Sequence, residues 1–389
     1  MVTAVDHSLS ESGPGTRAER IGDWVLIVAF CTAVSVPGIL SLRNVGQEMI
    51  DSVEQRRLSN SPDWSQNRLS DLPAEIDAYV NDRIGFRRTF IGLYNFYLWQ
   101  NGTSPNPAVV IGRDNWLYHN GYDDMDDFCG KKHLTPGMRD RWKSDLEARQ
   151  KWLAERGIKY LFFIAPNKQT IHPEFLPLSF QYCHSQQTTY DQLLETLRGT
   201  QVNLLDLREP LLKAAKHDIQ YYQQDTHWND FGRRIAYQQV IDRCRSMFPT
   251  AELGPNLDFV EIAEDKPVGD LRHMMGIPGE GPGCRKMVPR EFEIEMVSVP
   301  PGKYSWPDWH HQAYASPRRP LRLVIFGDSF LADHRLDSWI ASHFGRTISL
   351  RKMPGFKDLA TLKKLVDDER PDLVIDEQVE RFIYLGLGN

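Results

Sequence analysis

The chain has 389 residues, 41% of them hydrophobic and 25% charged, with a formal net charge of -6 at pH 7. That length holds enough apolar material for one large domain or two moderate ones. The acidic balance and the lack of a long Lys/Arg run argue against nucleic acid as a partner.

Residues 1–23 mix Arg17 and Arg20 with Glu11, Glu19 and Asp23 and read as a cytoplasmic tail. Residues 24–42, WVLIVAFCTAVSVPGILSL, carry no charge and match the length a helix needs to cross a bilayer core. A cleaved signal peptide is the competing reading. The leader is long, however, and no small-x-small cleavage site follows the apolar run, so a single uncleaved transmembrane anchor is expected. The few Arg residues on either side give little positive-inside bias. Residues 43–71 form a polar connector rich in Ser, Asn and Gln.

Residues 72–389 are expected to form one catalytic domain. Leu72, Ile76, Tyr79, Val80 and Ile84 recur at helical spacing, and a second helix is expected over residues 90–99 with its aromatics in the core. The Gly/Asn/Pro stretch NGTSPNPAVV leads into VVIGRDNWLYHNG, which alternates like strand and turn. From about Thr135 helices and strands alternate. A helix ending at Gly157 precedes the apolar strand IKYLFFIAP, and YDQLLETLRGT followed by QVNLLDL repeats the step. GRRIAYQQVIDRCRSMF adds a helix. PLRLVIFGDSF is another buried strand, followed by a helix at LDSWIASHF, a strand at TISLRKM, a helix at LATLKKLVDDERP and a strand at DLVIDEQ. This order implies an α/β fold with a mostly parallel sheet flanked by helices. Residues 251–319, rich in Pro and Gly, read as an insertion.

Ligands in such sheets bind where loops leave the carboxyl ends of strands. In VIFGDSF the strand ends at Phe326, Gly327 permits a tight turn, and Ser329 opens the next segment, where backbone N–H groups can meet an oxyanion. Ser329 is a candidate nucleophile, or else a helix cap. A serine needs a base oriented by a carboxylate, and QYYQQDTHWNDFG offers Asp225 and His227 two residues apart. Contact between them requires the loop to turn at Thr226. Asp328 reads as a turn residue. Trp228 reads as core or as a sugar-stacking platform, and Trp228 with Tyr222 would line an aromatic cleft. Asn167 and Lys168 follow a strand end and would also line it, Lys168 facing a carboxylate-bearing substrate or simply water. A metal site from Asp225 and His227 with His184, or with the WHH at residues 309–311, lacks helical His-x-x-x-His spacing, and no metal or cofactor is expected.

Besides Cys31 there are four cysteines, Cys129, Cys183, Cys244 and Cys284, whose spacing matches no zinc signature. Cys129 and Cys183 lie in two polar loops that would leave the same part of the sheet, and they form the expected disulfide in an oxidising compartment. Cys244 falls on a helix, where a buried thiol is the simpler account.

The FGDSF block with an upstream DTHW resembles the SGNH-hydrolase-like superfamily, and within it the AlgJ/AlgX type of alginate O-acetyltransferases. VNDRIGFRR, GRDNWLYHNG, FFIAPNKQTIHPEFLP and ERPDLVIDEQVER extend the resemblance in order from about Leu72 to Leu385. The resemblance implies an SGNH-like fold. Here the acid and base precede the serine, the reverse of ordinary SGNH hydrolases, which fits that group's circularly permuted order of motifs. It assigns Ser329 as nucleophile, His227 as base and Asp225 as the orienting acid, working through an acetyl-serine. It further implies O-acetylation of a bacterial exopolysaccharide, alginate, cellulose or similar, by a periplasmic domain anchored in the inner membrane. A multi-spanning membrane acyltransferase would supply acetyl groups, alongside other exopolysaccharide machinery. Two further readings stay open: an acetylesterase with the same triad, and a non-catalytic polysaccharide-binding scaffold.

Overall fold

The computed structural model describes residues 17–42, 50–51, 56–62, 70–263, 269–299, 311–332, 335–352 and 359–387. The chain forms two compact units that divide between Tyr97 and Leu98. In the first, helix α1 (Arg17–Leu42) contains one stretch, Arg20–Pro37, long and apolar enough to cross a membrane and with none of it buried. Ile50–Asp51 and Arg56–Arg57 pair antiparallel. Helices α2 (Leu72–Asp82) and α3 (Arg87–Gln100) follow.

One expectation needs correction here. Phe90, Leu93, Tyr94 and Tyr97 do make an apolar stripe at helical spacing. They are exposed, however, not core. Among the described residues, none before Trp99 enters the hydrophobic clusters of the second unit.

The second unit is built on seven strands: β1 (Lys159–Ala165), β2 (Leu204–Asp206), β3 (Glu295–Val297), β4 (His311–Ala315), β5 (Arg322–Gly327), β6 (Arg346–Arg351) and β7 (Leu373–Val379). Their order is β2-β1-β7-β5-β6-β4-β3. The strands from β2 to β6 in that order run parallel, with Ile375 of β7 between Leu161 of β1 and Ile325 of β5. β4 and β3 add antiparallel pairs at the edge, so the sheet is mixed. Both edge strands come from residues 251–319, which also supply the antiparallel pair Phe259–Ala263 and Arg285–Pro289.

The central strands are apolar on both faces because both faces are covered. Leu161, Phe163, Leu323, Ile325, Leu373 and Ile375 enter one cluster, with Val240 and Ile241 of helix α6 (Asp230–Met247). The alternate residues Tyr160, Phe162, Ile164, Val324, Phe326 and Val374 enter the other, with Trp142 and Leu146 of α4 (Pro136–Ala154) and Leu193 of α5 (Thr189–Leu197). The helix starts are written locally. Thr135 accepts from the Met138 N–H ahead of Pro136, Thr188 and Asp191 form a reciprocal capping box, and Asn229 accepts from Phe231 and Gly232. Cys129 and Cys183 are joined, with Cα atoms 4.9 Å apart, and Cys244 is a buried thiol on α6.

Candidate active site

β5 delivers the FGDSF block to its carboxyl end, where Ser329 is the first residue of the short helix α8 (Ser329–Ala332). Asp328 fixes this turn. One carboxylate oxygen accepts from the Phe330 N–H at 2.9 Å, and the other from the Val379 N–H at 2.7 Å. Its own N–H donates to Glu377 Oε2 at 2.8 Å. Burial and the neighbouring Asp328 push the Glu377 carboxyl well above the usual range. The turn is tight enough that a Cβ on Gly327 would fall 2.8 Å from Leu331 Cβ and 2.9 Å from Glu377 Oε2. Ser329 therefore sits where a helix's leading N–H groups have no intrahelical partner.

The DTHW segment is a loop closed by an antiparallel bridge between Tyr221 and Trp228. Inside it the chain turns, and Asp225 Oδ1 accepts from both the backbone N–H of His227, at 2.8 Å, and the ring Nδ1, at 2.7 Å. This Asp-centred turn removes the difficulty that an extended Asp-x-His would present. His227 Nε2 lies 2.8 Å from Ser329 Oγ. Asp225, His227 and Ser329, 102 residues apart along the chain at the last step, thus form one hydrogen-bonded line.

A second carboxylate is present that the spacing of residues gave no sign of. Asp270 opens the short helix α7 (Asp270–Met274), within the Pro/Gly-rich segment. Its Oδ2 lies 3.6 Å from His227 Nδ1 and accepts from Thr226 Oγ1 at 2.6 Å, while Oδ1 accepts from the Thr226 N–H at 2.7 Å. Its own N–H donates to Asp225 Oδ2 at 3.0 Å. Asp225, His227 and Asp270 group closely enough for comparison with a metal centre. Each of the four carboxylate oxygens nevertheless already accepts an N–H or O–H of the protein.

Burial lowers the His227 pKa, and Asp225, with a smaller push from Asp270, more than offsets this, so the imidazole is raised overall. Arg381, whose guanidinium lies 5.3 Å from the Phe330 ring, opposes the two acids.

The four residues expected to line a cleft divide. Tyr222 does line one, a cavity of about 740 Å³ shared with Gln223, Gln224, Asp225, Phe175, Phe231 and Arg285; it reaches the triad at Asp225, and Ser329 and His227 are not among its lining residues. Trp228 does not face substrate. It is fully buried against Phe330, because its indole N–H is spent on the Phe330 carbonyl at 3.0 Å. Lys168 is also buried, its ammonium donating to the carbonyls of Leu117, Gln223 and Asp225 at 2.7, 2.9 and 2.8 Å. It is a strut under the Asp225 loop and has no face for a substrate carboxylate; burial pulls it down to about 7. Asn167 is buried as well, and its N–H donates to Glu380 Oε2 at 2.7 Å. His184 stacks on Phe128 beside the disulfide, ring centroids 4.3 Å apart. Residues 309–310 lie outside the described residues.

A family model described as the SGNH hydrolase-like domain of acetyltransferase AlgX matches residues 109–380. Among curated relatives, the "Probable alginate O-acetylase AlgJ" of Pseudomonas aeruginosa is 26% identical over 292 residues, covering 71% of this chain and 71% of that protein. Its namesake from Pseudomonas syringae pv. tomato is 25% identical over 241 residues, and this chain spans only 55% of its length. Among solved structures, Bacillus cereus PatB1 superposes with a TM-score of 0.51 at 14% identity, over 71% of this chain and 96% of that one. The α/β fold of the second unit is therefore SGNH hydrolase-like.

Proposed function

The chain belongs to the family of SGNH hydrolase-like acetyltransferases that includes AlgX, and from that premise we propose that it O-acetylates a bacterial exopolysaccharide through an acetyl-serine on Ser329. The observation that carries the reading is the unbroken line from Asp225 Oδ1 through His227 to Ser329 Oγ, with contacts of 2.7 and 2.8 Å.

In the first half-reaction, His227 Nε2 takes the Ser329 proton as Oγ attacks the carbonyl of an acetyl donor. A tetrahedral oxyanion forms, held by the Ser329 N–H, and it collapses to the acetyl-serine while the imidazolium protonates the leaving group. In the second, a sugar hydroxyl gives its proton to His227 and attacks the ester, and Ser329 leaves with the proton returned to it. Asp225 keeps the proton of the neutral ring on Nδ1, so that Nε2 is the free base. The half-buried Tyr222 and the cavity it lines, against the Asp225 loop, offer room for part of the acceptor. The AlgJ relatives are named for alginate, which makes a carboxylate-bearing polysaccharide of that class the acceptor to try first.

Two features support the compartment proposed. A helix able to cross a membrane precedes the enzyme unit, and the Cys129–Cys183 bridge suits an oxidising space, so the reading is an inner-membrane anchor with a periplasmic domain. Cytoplasmic acetyl-CoA does not reach such a site, so a membrane acyltransferase working with the exopolysaccharide machinery would supply the acetyl groups. The test is to incubate the protein with an activated acetyl ester and oligosaccharide acceptors. Acetylated oligosaccharide supports transfer, whereas acetate alone in the presence of every acceptor would make the chain an esterase.

A further inference from the structure

We infer that Asp270 is a second positioning carboxylate for His227, so that the base is held and tuned by two acids on two separate segments; this rests on the acyl-transfer reading above. Three features place Asp270 there. The segment carrying it crosses the DTHW loop in van der Waals contact, since a Cβ on Gly269 would fall 2.0 Å from the Gln224 carbonyl oxygen, and no other residue type fits without displacing the loop. Arg272 fastens the crossing, donating from its backbone N–H to the Gln224 carbonyl at 3.3 Å and from Nη1 to Gln224 Oε1 at 3.0 Å. Asp270 and Asp225 then brace one another, the Asp270 N–H at 3.0 Å from Asp225 Oδ2.

The consequence for His227 is a matter of where protons can go. The Thr226 hydroxyl hydrogen points to Asp270 Oδ2, so the lone pairs of Thr226 Oγ1 are left for His227 Nδ1, 3.2 Å away. Among the described residues, Nδ1 faces three acceptors: Asp225 Oδ1, Thr226 Oγ1 and, at 3.6 Å, Asp270 Oδ2. That set fixes the Nδ1–H tautomer and leaves Nε2 bare toward Ser329. When Nε2 takes the serine proton, the positive ring has two carboxylates at its Nδ1 side. Among the described residues, Asp225 and Asp270 favour the imidazolium and Arg381 disfavours it; the Lys168 ammonium, on the Asp225 carbonyl, interacts with both acids.

The experiment measures kcat/KM against pH for acetyl release from 4-nitrophenyl acetate by the full chain. Asp270→Asn keeps an acceptor for Thr226 and removes the charge. The acid limb should move about one pH unit lower, the size expected for losing one partly solvated neighbouring charge. Asp270→Ser, which keeps only a short hydroxyl, should show the same displacement. Asp225→Asn should retain residual activity that disappears in Asp225→Asn/Asp270→Asn, which falls to the level of His227→Ala. A purely structural Asp270 would lower activity at every pH without moving the limb, and that result, or a double variant no worse than Asp225→Asn, overturns the inference. Ser329→Ala separates the two claims: if it keeps full activity, the acyl-serine reading fails, and if it is inactive while the limb stays fixed, only the role of Asp270 fails.

Discussion

Trp228 and Phe330 are tied by a hydrogen bond from the indole Nε1–H to the Phe330 carbonyl, 3.0 Å long and fully buried. The residue after the base thus holds the residue after the nucleophile. The bond ties together the two backbone segments that carry His227 and Ser329. Trp228→Phe keeps most of the ring's volume but leaves a buried carbonyl without its donor, which should cost about 1–3 kcal/mol in chemical denaturation. The kcat should fall while KM for a small acetyl ester changes little, since the ring does not reach substrate. Unchanged kcat with lowered stability would show that the bond serves the fold alone.

Lys168 makes a different kind of support. Its ammonium meets three carbonyls from two segments, and Lys168→Met would leave all three without that donor. Loss of at least 2 kcal/mol of stability is expected, about what unmaking buried hydrogen bonds costs, together with a loss of kcat as the Asp225 loop slackens. In the folded native protein Lys168 should resist acylating reagents that label surface lysines. Ready labelling without unfolding would return it to the substrate cleft.

The fold was legible wherever burial on both faces left a mark on composition. The runs at residues 159–165 and 322–327 are apolar at successive positions because Leu161 and Phe162, or Val324 and Ile325, serve opposite clusters. The GDS turn and DTHW were legible because a nucleophile and its base need fixed residue types. Asp270 was not, because it reaches Thr226 across 44 residues of Pro/Gly-rich chain with no periodicity to mark it. Trp228, read as core or as a platform, and Lys168, read as facing substrate or water, were ambiguous for a related reason: an aromatic ring or an ammonium near a site can face inward or outward, and only tertiary hydrogen bonds decide which. On α3 the helical stripe was read correctly, but a stripe does not say what covers it.

The bridge between Cys129 and Cys183 closes a loop of 54 residues. On the chain-entropy argument, replacing both with Ser should cost about 4 kcal/mol. Differential alkylation of the folded, non-reduced protein should leave both residues unlabelled while a buried Cys244 reacts only after denaturation. Free alkylation of Cys129 and Cys183 without reductant would remove both the bridge and its support for a periplasmic domain.

Activity should fall on the acid side through His227. The ring must be neutral to accept the serine proton. Its pKa is raised because Asp225 and Asp270 outweigh burial, so the acid limb should lie above the ordinary histidine value of about 6.5. In stability the sign is opposite: a histidine raised on folding contributes fully below its unfolded pKa, and that contribution is lost as pH rises through the folded one. Asp225→Asn should move the limb down. An acid limb at or below the ordinary value in the native protein would contradict the two-acid environment.

The central claim is that Ser329 carries the acetyl group, and the most direct measurement is intact-protein mass spectrometry after rapid mixing with 4-nitrophenyl acetate and acid quench. The account predicts a single added acetyl, mapped to the peptide containing Ser329. It should be lost on adding acceptor oligosaccharide, and absent in Ser329→Ala, with a circular dichroism spectrum unchanged from that of the native protein. His227→Ala should form the adduct orders of magnitude more slowly. Full acetyl transfer by Ser329→Ala, or a transient acetyl group on any other residue, would contradict it.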